Sequence, residues 1–106
     1  MLTRNDNVQL KMEIISLEEL IPEDHLLRKI ENKIDFSFIY DLVKDKYCEN
    51  NGRPSIDPVI LFKMIFVGYL YGIRSERRLV EEIKYNLAYR WFLGIGLKES
   101  VPNSST

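Results

Sequence analysis

The stretch Asp57-Pro58-Val59-Ile60-Leu61-Phe62-Lys63-Met64-Ile65-Phe66-Val67-Gly68-Tyr69-Leu70-Tyr71-Gly72 decides the fold. Asp57 suits a helix N-cap and Pro58 the first helical position, where its missing N–H is no loss. Gly72 is placed to end the helix in a left-handed conformation. Between these signals the run is apolar nearly all round, with Lys63 as its one charge. Such a helix is central and packed on several sides. Gly68 costs it about 1 kcal/mol of propensity, a cost that close approach of a neighbouring helix would offset.

Downstream, only Gly72-Ile73-Arg74 separates this helix from the next, which Ser75 caps. Leu79, Val80, Ile83 and Leu87 form its apolar stripe, and Arg74, Arg77, Arg78, Glu81, Lys84 and Tyr85 its polar face. Asn86 opens a short helix through Tyr89, Arg90, Trp91, Phe92 and Leu93 that Gly94 closes. At helical spacing Tyr89, Trp91 and Phe92, with Tyr69 and Tyr71 of the preceding helix, read as core before they read as base-stacking platforms. Upstream, Asp24 can cap a helix with the stripe Leu26, Leu27, Ile30 and Ile34. Ser37 can cap another with Phe38, Ile39, Leu42, Val43 and Tyr47. Glu49 to Pro54 has the chemistry of a loop. Ser16 with Glu19 matches a capping box for one short turn before Pro22.

Val8, Leu10, Met12 and Ile14 alternate with polar residues, the period of a half-buried strand. No second strand pattern follows. Either the arm pairs with another chain or a further part of the parent protein, or it is a frayed terminus. The fold class read from the whole is all-α: a compact four- to five-helix domain with a helix-turn-helix-like pair and an N-terminal extended arm. Its divisions are an arm over 1–22, a helical domain over 23–97 and the start of a truncated linker over 98–106.

Composition bounds the function. At 106 residues and 45% hydrophobic content, the chain suits one globular domain. A single cysteine, Cys48, excludes a disulfide framework and a multi-cysteine zinc site. With no secretory leader and no apolar run long enough for a membrane span, the expected location is the cytoplasm. His25 is the only histidine, and it reads as a surface or capping residue. No phosphate-cradling glycine loop and no nucleophile elbow are present. No catalytic residue, metal site or cofactor is expected.

Charge is unevenly spread. Residues 1–50 hold 7 Lys/Arg against 11 Asp/Glu, and residues 51–106 hold 8 against 5, so a chain of net charge −1 divides into halves of −4 and +3. A basic face of that kind attracts phosphate. Arg74, Arg77 and Arg78 stand at the N-terminal end of their helix, the end a recognition helix presents to base edges, and arginine grips guanine or phosphate with a planar fork of donors. Lys84, Arg90 and Arg53 are candidates for backbone contacts. The same helix also carries ordinary i,i+4 pairs, Arg77 with Glu81 and Arg78 with Glu82, so double-stranded DNA and a solvated surface both stay open on pattern alone.

Several segments resemble the N-terminal domain of bacterial insertion-sequence transposases of the InsH type. They are Ile21-Pro22-Glu23-Asp24-His25-Leu26-Leu27-Arg28, Asp35-Phe36-Ser37-Phe38-Ile39-Tyr40, Gly52-Arg53-Pro54-Ser55-Ile56-Asp57-Pro58, Tyr71-Gly72-Ile73-Arg74-Ser75-Glu76-Arg77 and Asn86-Leu87-Ala88-Tyr89-Arg90-Trp91-Phe92-Leu93-Gly94. The likeness runs from about Val8 to Pro102. It implies a module that recognises the terminal inverted repeats of an insertion sequence during transposition. In that family an RNase-H-like domain follows, with an Asp/Asp/Glu triad that holds divalent metal. None of that triad lies in this chain, so the fragment is expected not to be an enzyme. Asn103-Ser104-Ser105-Thr106 departs from the usual continuation, which points to a truncated or cut copy. Self-association through the acidic N-terminal half, giving a homo-oligomer, is the alternative role, and a non-functional remnant that still folds is a third.

Overall fold

A computed structural model of the chain describes Arg4, residues 11–44 and residues 56–103. Six helices and no strand occur among the described residues: α1 (Leu17–Leu20), α2 (Leu26–Lys33), α3 (Phe38–Val43), α4 (Pro58–Leu70), α5 (Glu76–Tyr85) and α6 (Leu87–Leu93). Val8 and Leu10 lie outside the described residues. From Lys11 the expected strand is coil, with Met12 and Ile14 exposed. No strand lies beside it among the described residues, so its backbone has no ladder to join.

The helix starts follow their sequence signals, with two differences. Ser16 and Glu19 form the full capping box, Asp57 accepts from Val59 N–H at 2.8 Å, and Asn86 accepts from Tyr89 N–H at 3.0 Å. At α2 the cap is His25 and not Asp24, because His25 Nδ1 is the atom that accepts from Leu27 N–H, at 3.0 Å. At α3 the Ser37 hydroxyl makes no capping bond; the Asp35 carboxylate accepts the Ser37 N–H at 3.0 Å instead. That hydrogen bond holds the Asp35 carboxyl below its ordinary pKa.

The helix ends repeat one device. α4 and α6 are each followed by a Gly-Ile pair in which the glycine takes positive φ, 69° at Gly72 and 78° at Gly94. Ile73 N–H then reaches back to Gly68 O at 2.8 Å, and Ile95 N–H to Arg90 O at 3.1 Å. These six-residue closures satisfy carbonyls that a helix end otherwise leaves bare.

The core gathers around α6. The largest fully buried side chains, Phe92, Leu27, Ile83 and Val67, come one each from α6, α2, α5 and α4. α6 packs against α1, α2, α4 and α5, while α3 packs on α4. Phe36, just before α3, meets the Phe92 ring edge-on at 5.7 Å and brings Phe62 and Phe66 into the same aromatic cluster. The hub is thus the short α6 rather than the long apolar α4. α4 turns Met64 and Val67 inward and leaves Ile65 and Tyr69 open to solvent. Gly68 fits its expected role: a Cβ there would stand 3.2 Å from Leu79 Cδ2 of α5.

Lys63, the one charge on α4, points into this core and is only 7% exposed. Its Nζ donates to Glu31 Oε2 at 2.7 Å and to Phe92 O at 3.0 Å, and it lies 4.9 Å and 4.8 Å from the centres of the Phe36 and Phe92 rings. The ammonium thus sits at the C-terminal end of α6, where the helix dipole favours a cation.

Segments on both flanks of the helical body are tied to the hub. Arg28 Nε donates to Ile21 O at 3.0 Å, its Nη1 to Glu18 Oε1 at 2.6 Å and its Nη2 to the Glu18 carbonyl. Its guanidinium lies 4.7 Å from the centre of the Trp91 ring, and Trp91 Nε1 donates to Glu18 Oε2 at 2.5 Å. Residues 17–22, read in the sequence as part of the arm, therefore belong to the packed body. The tail beyond Lys98, read as the start of a linker, is held as far as Val101, which packs against the core.

The Glu18 carboxyl is held below its ordinary value of 4.5, first by its hydrogen bond to Arg28 and then by that to Trp91. Folding therefore favours the ionised form. That stabilisation is complete above pH 4.5 and is lost as pH falls through the lowered value. Thermal melts should show Glu18→Gln below the parent at pH 7, with the gap closing as the pH falls below 4.5 through the lowered value. A gap that stays constant with pH would rule out an ionised Glu18 as the tie.

Candidate nucleic-acid interface

The six residues read as DNA contacts separate into different environments. Arg74, Arg77, Arg78 and Lys84 are exposed on or just before α5. Arg53 lies outside the described residues. Arg90 is buried, 6% exposed.

The burial of Arg90 corrects the expectation that it meets phosphate. Its Nε donates to Lys84 O at 3.0 Å, and its Nη1 donates to Gly96 O at 2.5 Å and Glu99 O at 3.0 Å. One guanidinium thus ties the end of α5 to the 96–99 turn. Its sequence setting carried the signal: a lone cation among Tyr89, Trp91, Phe92 and Leu93 has no polar face to occupy on so short a helix. The same signal marks Lys63 in its apolar run. Arg28, in a polar helix face, gave no such sign.

The remaining cations form a local site. Ser75 Oγ caps α5 by accepting from Arg78 N–H at 3.2 Å. Arg74 precedes the cap, and Arg77 and Arg78 stand in the first turn, where the unpaired N–H groups and the helix dipole favour an anion. At 100° per residue Arg77, Arg78 and Lys84 project within one side of the helix, and Arg74 precedes it. Arg78 Nε pairs with Glu82 Oε2 at 2.9 Å. Arg74 and Arg77 make no ion pair or hydrogen bond among the described residues. The expected pairing of Arg77 with Glu81 is therefore absent there, although both line one shallow surface depression. Lys84 Nζ lies 5.5 Å from the centre of the exposed Tyr85 ring.

The positive half read from the sequence is not a broad positive surface. With Lys63 and Arg90 turned inward, the exposed cations of this half among the described residues are Arg74, Arg77, Arg78, Lys84 and Lys98, and its carboxylates are Asp57, Glu76, Glu81, Glu82 and Glu99. Among the described residues, Arg74 and Arg77 at the start of α5 are exposed cations of this half without an ion pair. That helix stands on α6 through Leu79 and Ile83 and touches α4 at Gly68. The connection from α4 is Tyr71–Ser75, five residues rather than three, because the Gly72 turn and the extended Ser75 lie outside both helices.

Of the aromatics considered for stacking, Phe92 and Tyr89 are buried and Trp91 is half-buried, whereas Tyr69 stands in solvent. The rings of Tyr71 and Tyr89 lie 5.1 Å apart, and burial raises the pKa of both phenols. No cluster of three or more His, Cys, Asp or Glu that could hold a metal ion occurs among the described residues. No helix among them is long and apolar enough to cross a membrane.

The class this architecture defines is a small all-helical domain that exposes an arginine-bearing helix end. A family model described as a transposase domain (DUF772) matches residues 15–106. The chain belongs to this transposase domain family. No curated protein and no solved structure matches it.

The division of the arginines into a tie and a free set has a measurable consequence. Arg90→Ala leaves part-buried carbonyls unpaired and a buried site empty, and should lower the free energy of unfolding by about 2–4 kcal/mol in urea titrations. Arg77→Ala should change it by less than about 0.5 kcal/mol. Equal effects of the two substitutions would contradict this division.

Proposed function

We propose that this chain is the DNA-binding module of a transposase, reading the terminal inverted repeats of an insertion sequence and doing no chemistry itself. The observation that carries the reading is the N-terminal turn of α5, where Arg74 and Arg77 are exposed and unpaired among the described residues. Membership of a transposase family makes duplex DNA the natural ligand for such a turn.

In this reading α5 enters the major groove as the second helix of a helix-turn-helix-like pair with α4. Arg74, Arg77 and Arg78 are the leading contacts, and Lys84 binds phosphate. The Arg78–Glu82 pair is exposed, and such pairs contribute little, so Arg78 can exchange its carboxylate for a phosphate. Glu81 repels phosphate on the same side, which favours one docking angle over a sliding contact. Arg53 is a further backbone contact in this scheme. A catalytic domain elsewhere in the transposase would carry out strand cleavage, and the setting would be the cytoplasm.

Fluorescence anisotropy with a duplex carrying an element's terminal repeat tests the reading. Affinity should fall as salt rises, with a log–log slope of about −3 for three or four phosphates neutralised. Replacing Arg77 by Ala should weaken binding and flatten that slope by roughly one. Absence of binding at low salt, or a double Arg77→Ala, Arg78→Ala variant that binds like the parent, would reject it.

A further inference from the structure

Of the three cations drawn in against helix ends, two have a carboxylate beside them. Lys63 has Glu31 at 2.7 Å, and Arg28 has Glu18 at 2.6 Å. Arg90 has none among the described residues. All three of its hydrogen bonds go to carbonyl oxygens, those of Lys84, Gly96 and Glu99. Carbonyls satisfy its donors but leave its charge uncancelled. A cation only 6% exposed is ordinarily paired, because a bare buried charge is costly.

Arg90 stands in the wall of a cleft of about 400 Å³ between the end of α5 and the 97–101 segment. Lys84 and Lys98 line the same cleft. Both are exposed, and neither makes an ion pair among the described residues. Ser100 adds a hydroxyl. One carboxylate, Glu99, also lines it, and its Oε1 is engaged by Gly96 N–H at 3.1 Å. Three cations against one engaged carboxylate give the cleft a positive field.

We propose that this cleft binds a phosphate group. Lys84 and Lys98 donate to its oxygens, and the Ser100 hydroxyl adds a third donor. Arg90 keeps its carbonyls, and its charge acts from the wall, fixed in place by three hydrogen bonds. Donors from two segments suit an anion with acceptors on every side, as phosphate has, better than a planar carboxylate that an arginine fork would grip. On the DNA reading above, the phosphate belongs to the duplex backbone. Lys84 follows Arg77 by two turns of α5, about 10 Å along the helix axis, so both ends of α5 can be held to one duplex. Such a contact fixes the orientation of the helix without reading a base. That source rests on the DNA reading; the cleft itself does not.

The test therefore has two arms. In the first, inorganic phosphate replaces chloride at constant ionic strength while amide and arginine side-chain NMR signals are followed. The signals of Lys98, Ser100 and Arg90 Nε should shift together, with half-saturation at about 10 mM or below. Lys98→Gln, at an exposed position, should weaken this binding about fivefold, and Arg77→Ala should leave it unchanged. Signals that stay still up to about 50 mM phosphate, or a folded Lys98→Gln variant with the parent's affinity, would overturn the proposal. In the second arm, duplex binding names the source. A salt slope flattened by roughly one in Lys98→Gln assigns the phosphate to DNA, and an unchanged slope assigns the cleft to free phosphate. A parent that binds no duplex rejects the DNA reading, and the phosphate titration still decides the cleft.

Discussion

The structure depends on cations drawn in from solvent against the ends of short helices. α6 has seven residues, too few to be stable alone, yet it is the element around which the others pack. Each short helix brings carbonyls at its C-terminus that no residue of the helix can satisfy. Lys63 reaches across from α4 to Phe92 O, and Arg90 reaches from α6 to the last turn of α5 and the tail beyond it. Arg28 does the same for the turn between α1 and α2. A neutral apolar side chain in any of these places would fill the space and leave the carbonyls unpaired, at a cost comparable to losing a hydrogen bond for each.

The device shapes the exterior as well. Turning Lys63 and Arg90 inward removes two cations from the basic half of the chain. Among the described residues, what remains outside is close to balanced, apart from the start of α5, where Arg74 and Arg77 stand without partners. The same inward turn of Lys63 strips the outer face of α4 of charge. One packing choice therefore leaves two distinct surfaces, a small cationic turn and an uncharged ridge, joined by the five residues from Tyr71 to Ser75.

Much of the fold is legible in the sequence because helix ends are written in local chemistry. Asp57-Pro58, Ser75, Asn86, Gly72 and Gly94 act where their residue types say they act, and Ser16 with Glu19 closes its box. Less legible is anything that depends on what lies across the core. The exposure of Ile65 and Tyr69 could not be read from a uniformly apolar helix, because periodicity vanishes when every side is greasy. The inward turn of Arg90 could not be separated from an outward one by charge counting, although its aromatic neighbours hinted at it. Nor could the sequence show that α6 is the hub, since its length argues for a minor role. The alternating stretch from Val8 to Ile14 is a different case: period two expresses a capacity to pair, and its described part, from Lys11, has no strand beside it among the described residues.

Native-state hydrogen exchange measures the central claim most directly. If α6 is the hub, the amides of Phe92, Leu93 and Ile95 should exchange only through global unfolding, with opening free energies equal to that from urea denaturation. Exchange of these amides through a lower-energy opening, while the middle of α4 stays protected to the global limit, would return the centre of the fold to α4 and contradict the account.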